Sequence, residues 1–201
     1  MSTDNLEDII AKSGQFRDKK ILLHVCCAVC AGYVSAELKK AFGKVVLYFY
    51  NPNVQPAEEY GKRLEAARTA AANNGLELLE GDYDAENWLA AVKGLEGEPE
   101  GGKRCDVCFA RRLEETARLA AANGFDCFAA TLTVSPHKNS DLINVIGEAA
   151  GKKYGVEFLA ADFKKKDGFK KSMDLAKAGR IYRQHYCGCA FSLKEASDRA
   201  R

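Results

Sequence analysis

Apolar and polar positions along this chain fall into blocks of two kinds. Short runs rich in β-branched and aromatic residues, at Ile21–Val25, Val45–Tyr50, Leu76–Leu79, Phe128–Leu132 and Val156–Leu159, predict strands. Longer alanine-rich segments with helical spacing lie between them, notably Ala57–Asn73, Phe109–Ala122 and Leu142–Tyr154. Strands separated by helices of that length predict right-handed βαβ crossovers, hence a parallel sheet with helices on both faces. The expected fold is α/β and Rossmann-like. Gly43, Gly75, Gly124 and Gly155 each stand between a helix and the next strand, where a left-handed C-cap is expected. No internal repeat or linker breaks the pattern, so residues 1–201 read as a single domain. The one long irregular segment is GLEGEPEGGKRC, Gly94–Cys105, and long loops in compact domains are commonly functional.

Composition narrows the setting. A hydrophobic content of 47% supplies a sizeable core and excludes a disordered chain. No apolar run approaches the roughly 18 residues of a membrane span, and the polar start MSTDNLEDII lacks the layout of a signal peptide. The expectation is a cytoplasmic protein with no membrane partner. In a reducing compartment the eight cysteines point to metal binding or catalysis rather than to disulfides. The net charge of +2 hides an asymmetry, because residues 151–201 carry 13 Lys and Arg against 6 Asp and Glu. Such a basic quarter suits a polyanion, although a run such as Lys164, Lys165 and Lys166 also reads as a solvated surface.

The cysteines carry the chemistry. Cys26, Cys27 and Cys30 follow the first predicted strand, at the edge of a parallel sheet where ligands collect. Cys30 falls at or just before the start of the next helix, where the helix dipole favours a thiolate. Cys105 and Cys108 form a C-x-x-C on the glycine-rich loop, and Cys187 and Cys189 a C-x-C in YRQHYCGC. Four thiolates would complete a zinc site or hold a 4Fe-4S cluster, with three left over. Cys127, in DCFAAT, reads instead as a core cysteine at the start of a strand.

Taken together, HVCCAVC, YNPNVQPAEEYGKR, GEPEGGKRCDVCFARRLEETA, ATLTVSPHKN and GRIYRQHYCGC resemble the QueH family, the cobalamin-independent epoxyqueuosine reductases of tRNA modification. The resemblance runs from about Ile21 to Ser192. It implies a HUP-type fold of the adenine nucleotide alpha-hydrolase-like group, a 4Fe-4S cluster and an adjacent mononuclear iron. The implied reaction is the two-electron reduction of the epoxide of epoxyqueuosine, at the anticodon wobble position, to the alkene of queuosine with loss of water. The implied partners are the tRNA anticodon stem-loop and an external electron donor. Within that resemblance Cys27, Cys105, Cys108 and Cys189 are assigned to the cluster, and Cys26, Cys30 and Cys187 to the iron. The family's motif commonly reads C-C-A-P, whereas Val29 stands here in place of the proline.

Tyr182, His185, Tyr186 and His137 are the candidate proton donors near the motif ends, with Arg183 beside them. His24, inside the first strand, reads as a hydrogen-bonded core histidine. Lys138, Lys164 to Lys166, Lys170, Lys171, Arg180 and Arg183 are candidate phosphate contacts, and Tyr182 or Tyr186 a stacking platform for a base. Two other readings compete. A tRNA thiolation enzyme of the same fold wants an S-G-G-x-D-S phosphate loop after the first strand, where this chain has CCAVCAG. A zinc-containing RNA-binding module would use the cysteines as structural ligands only.

Overall fold

The structure, a computed structural model, describes residues 3–199. Five strands form one fully parallel sheet: β1 (Lys20–His24), β2 (Lys44–Phe49), β3 (Glu77–Glu80), β4 (Cys127–Ala130) and β5 (Glu157–Phe158), in the order β3-β2-β1-β4-β5. The described helices are α1 (Leu6–Ala11), α2 (Ala28–Leu38), α3 (Ala57–Asn73), α4 (Ala85–Ala91), α5 (Lys103–Ala122), α6 (Ser140–Tyr154), α7 (Gly168–Ala178) and α8 (Ala190–Arg199).

Strand alternation builds two cores. Ile21, Leu23, Val45, Leu47, Phe49 and Ala129 face α2, α3 and α7. Leu22, Val46, Tyr48, Phe128 and Ala130 face α5 and α6. Helices therefore cover both faces, as the near-continuous apolar strands require. The chain winds outward from β1 to β3, returns to β4 beside β1, and winds the other way. The topological switch point thus lies beyond the carboxyl ends of β1 and β4, where open parallel sheets bind their ligands.

Each strand is displaced by about one residue or shortened relative to its apolar run. After Ala130 the chain leaves the sheet for a 3-10 turn, Thr131–Val134, so Leu132 is not a strand residue. Gly75, Gly124 and Gly155 have φ of 60°, 65° and 73°, the expected left-handed cap. Gly43 does not. Its smallness serves a close approach instead, since a Cβ there would lie 2.4 Å from the Arg17 carbonyl oxygen.

Helix α5 begins six residues before the expected Phe109, so Cys105 and Cys108 occupy its first two turns rather than a loop. Glu98 caps this start by accepting from the Lys103 backbone N–H at 3.1 Å. Buried Arg104 donates to the carbonyls of Leu95, Glu96 and Glu98, which folds the glycine-rich segment onto the helix. Among the described residues no helix is long and apolar enough to cross a membrane.

Candidate metal centre

At the end of β1 the Sγ atoms of Cys26, Cys27 and Cys30 all lie within 4.8 Å of one another. The strand delivers Cys26, whose backbone N–H donates to Thr131 Oγ1 at the end of β4, 3.2 Å away. Cys27 is the N-cap of α2 and Cys30 lies in its first turn. Val29, where the family's motif carries proline, sits in that same turn. Backbone N–H groups there have no intrahelical acceptor, so valine adopts the conformation without losing a bond.

The expected thiolate at Cys30 is not what the geometry favours. Hydrogen bonds from Cys27 and Cys30 hold the Cys26 thiol well below its usual range, against burial. Donation to Cys26 raises Cys27 to about 11 and pushes Cys30 well up as well, with burial adding to both. Among these three, the negative charge collects on Cys26, because two buried neighbours can serve it as donors, which outweighs the helix N-terminus beside Cys27 and Cys30.

A second group forms around α5 and the segment before α8. Cys108 and Cys189 are both buried, in one cluster with Trp88 and Val92. Burial raises Cys105 to about 11, and the charges of Cys187, Cys108 and Cys189 add to the rise. Lys138 ties the two groups together. Burial opposes its charge, yet Cys187, Cys26 and Cys30 together outweigh burial and raise its pKa.

Between the groups opens a cavity of about 740 Å³. Its wall includes Cys26, Cys27, Cys30 and Cys187, but not Cys105, Cys108 or Cys189. Arg183, His185, Tyr186, His137 and Lys138 also line it. Tyr182 does not. Its hydroxyl donates to Glu59 Oε2 at 2.7 Å, while that of Tyr186 donates to the Gln55 carbonyl. Lys164 pairs with Asp162 at 3.5 Å and Lys165 donates to the Thr3 carbonyl, so two of the three run lysines are tied to the protein rather than only to solvent. His24 is fully buried, with Nε2 3.0 Å from the Tyr50 carbonyl, as a core histidine should be. Cys127 is 1% exposed at the amino end of β4, opposite Ile21 and away from the other thiols.

Sequence reasoning misses three buried arginines. Arg63 donates to the carbonyls of Cys187 and Tyr186 and to Glu59. Arg104 reaches Glu195, and Arg112 reaches Asn51. Arginine burial is rare unless paired, so periodicity alone gives no signal. Spacing does hold one, since Arg112 follows Cys108 by four residues, one helical turn.

The donor set suits a soft or borderline metal bound as thiolates. A further observation agrees with sulfur ligation. The indole N–H of Trp88, packed with Cys108 and Cys189, is directed at the Cys108 thiol and favours its thiolate.

A parallel sheet whose switch point gathers thiols around an open cavity defines an α/β metal–thiolate protein. The fold is similar to that of the U34-tRNA thiolase NcsA from Methanococcus maripaludis with its [4Fe-4S] cluster, at a TM-score of 0.57 and 13% identity, covering 96% of this chain and 71% of that one. That likeness concerns the fold alone. A family model described as Epoxyqueuosine reductase QueH matches residues 21–195. The Epoxyqueuosine reductase QueH of Streptococcus pyogenes serotype M1 is 43% identical over 180 residues, covering 87% of this chain and 70% of that protein. Its counterpart from Thermotoga maritima is 40% identical over 182 residues, covering 89% and 93%. The chain belongs to the QueH family of epoxyqueuosine reductases, which are oxidoreductases.

Proposed function

We propose that this chain reduces the epoxide of epoxyqueuosine, carried at the wobble position of a tRNA anticodon, to the alkene of queuosine. The observation that carries the reading is the close group of Cys26, Cys27 and Cys30 opening with Cys187 onto one cavity, in a chain of this family. Two electrons and two protons enter, both bonds of the epoxide oxygen to carbon break, and that oxygen leaves as water. An external low-potential donor supplies the electrons. When bound, a 4Fe-4S cluster supplies one-electron transfer and an adjacent single iron a Lewis acid for the oxygen.

Cys27, Cys105, Cys108 and Cys189 would hold the cluster, and Cys26, Cys30 and Cys187 the iron. This division is supported by the cavity wall, because a substrate must reach the iron and all three of those thiols line the wall, whereas of the other four only Cys27 does. A second division has its own observation. The mutual approach of Cys26, Cys27 and Cys30 favours these three on the iron, leaving Cys187 to join Cys105, Cys108 and Cys189.

The protein's own groups have separable tasks. His185 and His137 stand in the wall as proton donors, and Lys138 Nζ holds a proton beside Cys26, Cys30 and Cys187. Tyr186 fixes the C-x-C segment through Gln55, with its ring at the cavity. Arg183, exposed at the wall, is placed for a phosphate. Tyr182, held outside by Glu59, positions rather than reacts.

The test is direct. Protein loaded with iron and sulfide under anaerobic conditions, given dithionite and tRNA containing epoxyqueuosine, should yield queuosine by nucleoside mass spectrometry. Metal analysis should give about five irons per chain. Stoichiometric zinc, no visible absorption and no conversion would overturn the proposal in favour of a zinc RNA-binding module.

A further inference from the structure

Three arginine side chains are almost wholly buried: Arg63, Arg104 and Arg112, at 2%, 1% and 2% exposure. Arg63 has Glu59 at 2.8 Å and Arg104 has Glu195 at 3.3 Å. Arg112 has no carboxylate within 4 Å among the described residues. It donates to the neutral amide oxygen of Asn51, at 2.6 Å, and to the Cys108 thiol, while its Nε has no partner among the described residues.

A buried guanidinium cannot shed its proton, so it needs an opposite charge nearby. The neighbours show where that charge comes from. Arg112 lies one turn beyond Cys108 on α5; burial raises the Cys108 thiol and the Arg112 charge offsets part of that rise, and the same charge adds to the lowering of Cys26. The same field, with burial, keeps His24 neutral. No acidic side chain enters this set.

We propose that Arg112 is the buried counter-ion of the metal–thiolate centre, and that it raises the reduction potential there. Reduction adds one negative charge to the centre, and a fixed cation within its low-dielectric surroundings favours the reduced form. Asn51 is the positioning partner, since its own amide N–H donates to the Val25 carbonyl at 2.9 Å and so fixes the oxygen that Arg112 grips. The chain would thus hold one cation, independent of pH, behind the thiols, while Lys138 stands in the cavity wall before them.

This inference rests on the iron–thiolate reading, and two variants test it, Arg112→Met and Arg112→Lys. In anaerobically loaded protein, redox titration of the visible absorption should give Arg112→Met a midpoint clearly more negative than wild type. Arg112→Lys, which keeps the charge, should stay near wild type. In metal-free protein, Arg112→Met should lower the melting temperature less than in loaded protein, because there only the Asn51 oxygen loses its donor and no bound centre loses its counter-ion. A midpoint unchanged in Arg112→Met, or an equal loss of melting temperature with and without metal, would show Arg112 to be a structural anchor only. Wild-type protein that takes up no iron would sink the underlying reading itself.

Discussion

The guanidinium of Arg63 donates to the Cys187 carbonyl at 2.8 Å and to the Tyr186 carbonyl at 3.1 Å, so helix α3 grips the segment that carries two of the seven clustered thiols. The grip is reciprocal. Glu59, one turn earlier on α3, accepts from Arg63 at 2.8 Å and from Tyr182 at 2.7 Å, and the Arg63 guanidinium lies 5.1 Å from the Tyr186 ring centre. Between the two cysteines, Gly188 has φ of 148°, and a Cβ there would lie 3.0 Å from Arg63 Nη1 and Asn53 Nδ2. Only glycine lets the loop come this close.

Arg63→Ala should therefore cost about 3–5 kcal/mol, because it leaves the Glu59 carboxylate buried without its cation. Arg63→Lys is the sharper test. An ammonium keeps the charge but cannot serve Glu59 and two carbonyls from one rigid fork. The expected result is a folded protein that retains less iron than wild type, read by thermal melts and metal analysis. Wild-type iron retention in Arg63→Lys would mean that the loop holds itself.

Cys127 should behave in the opposite way to the clustered thiols. It packs among core residues at the amino end of β4, so Cys127→Ala should keep iron and turnover and cost on the order of 1 kcal/mol. Cys30→Ala should keep the fold and lose iron. Burial raises the Cys127 thiol to about 12, above its value of 9.0, with Glu157 adding to the shift. Between those values the unfolded chain loses a proton that the folded chain keeps. Stability is therefore full below pH 9 and falls as pH rises, by about 1.4 kcal/mol per unit for this group. Urea unfolding from pH 8 to about pH 10.5 should show a steeper loss for wild type than for Cys127→Ala. Parallel pH curves for the two proteins would refute the assignment.

The sheet was legible because its inner strands β1, β2 and β4 are buried on both faces and read as continuous apolar runs. Helix α3 was legible to the residue, since its alanines mark the buried stripe. The first turns of α5 were not, because their inward positions are Arg104, Cys108 and, one turn on, Arg112, which carry no apolar period. Their burial depends on Glu195 and Asn51, distant in sequence. The thiols are evident in the sequence, but the charge order within Cys26, Cys27 and Cys30 is not. It follows from which sulfur can accept from the other two, and only the fold decides that.

If the cavity takes the tRNA as proposed, Arg183 in its wall should contact phosphate more directly than the lysine run, part of which is tied to Asp162 and Thr3. Arg183→Ala should weaken binding and reduce the slope of log K against log salt by about one unit. Replacing Lys164, Lys165 and Lys166 together with alanine should also weaken binding, with the slope falling by about one unit for each phosphate no longer neutralised. Filter binding or fluorescence anisotropy from low to moderate salt reads both effects. Unchanged affinity and slope in the triple variant would leave the run as a solvated face.

The division of the thiols comes down to Cys27 and Cys187, because the two arrangements differ only in exchanging them. Cys27 caps α2, touches Cys26 at 4.0 Å between sulfurs and is 3% exposed. Cys187 is half-buried in the cavity wall, and its carbonyl is already committed to Arg63. If Cys187 serves the single iron, Cys187→Ala should keep the visible absorption of the cluster and lose roughly one iron in five. Cys27→Ala should then bleach most of that absorption. Each variant should fold, since Cys187 is half-buried and Cys27→Ala removes a single sulfur from the core, at a cost on the order of 1 kcal/mol. Anaerobic spectra and iron counts on the pair settle the exchange. Loss of the cluster in Cys187→Ala, with Cys27→Ala keeping it, would place Cys26, Cys27 and Cys30 together on the iron, as their 4.8 Å grouping suggests.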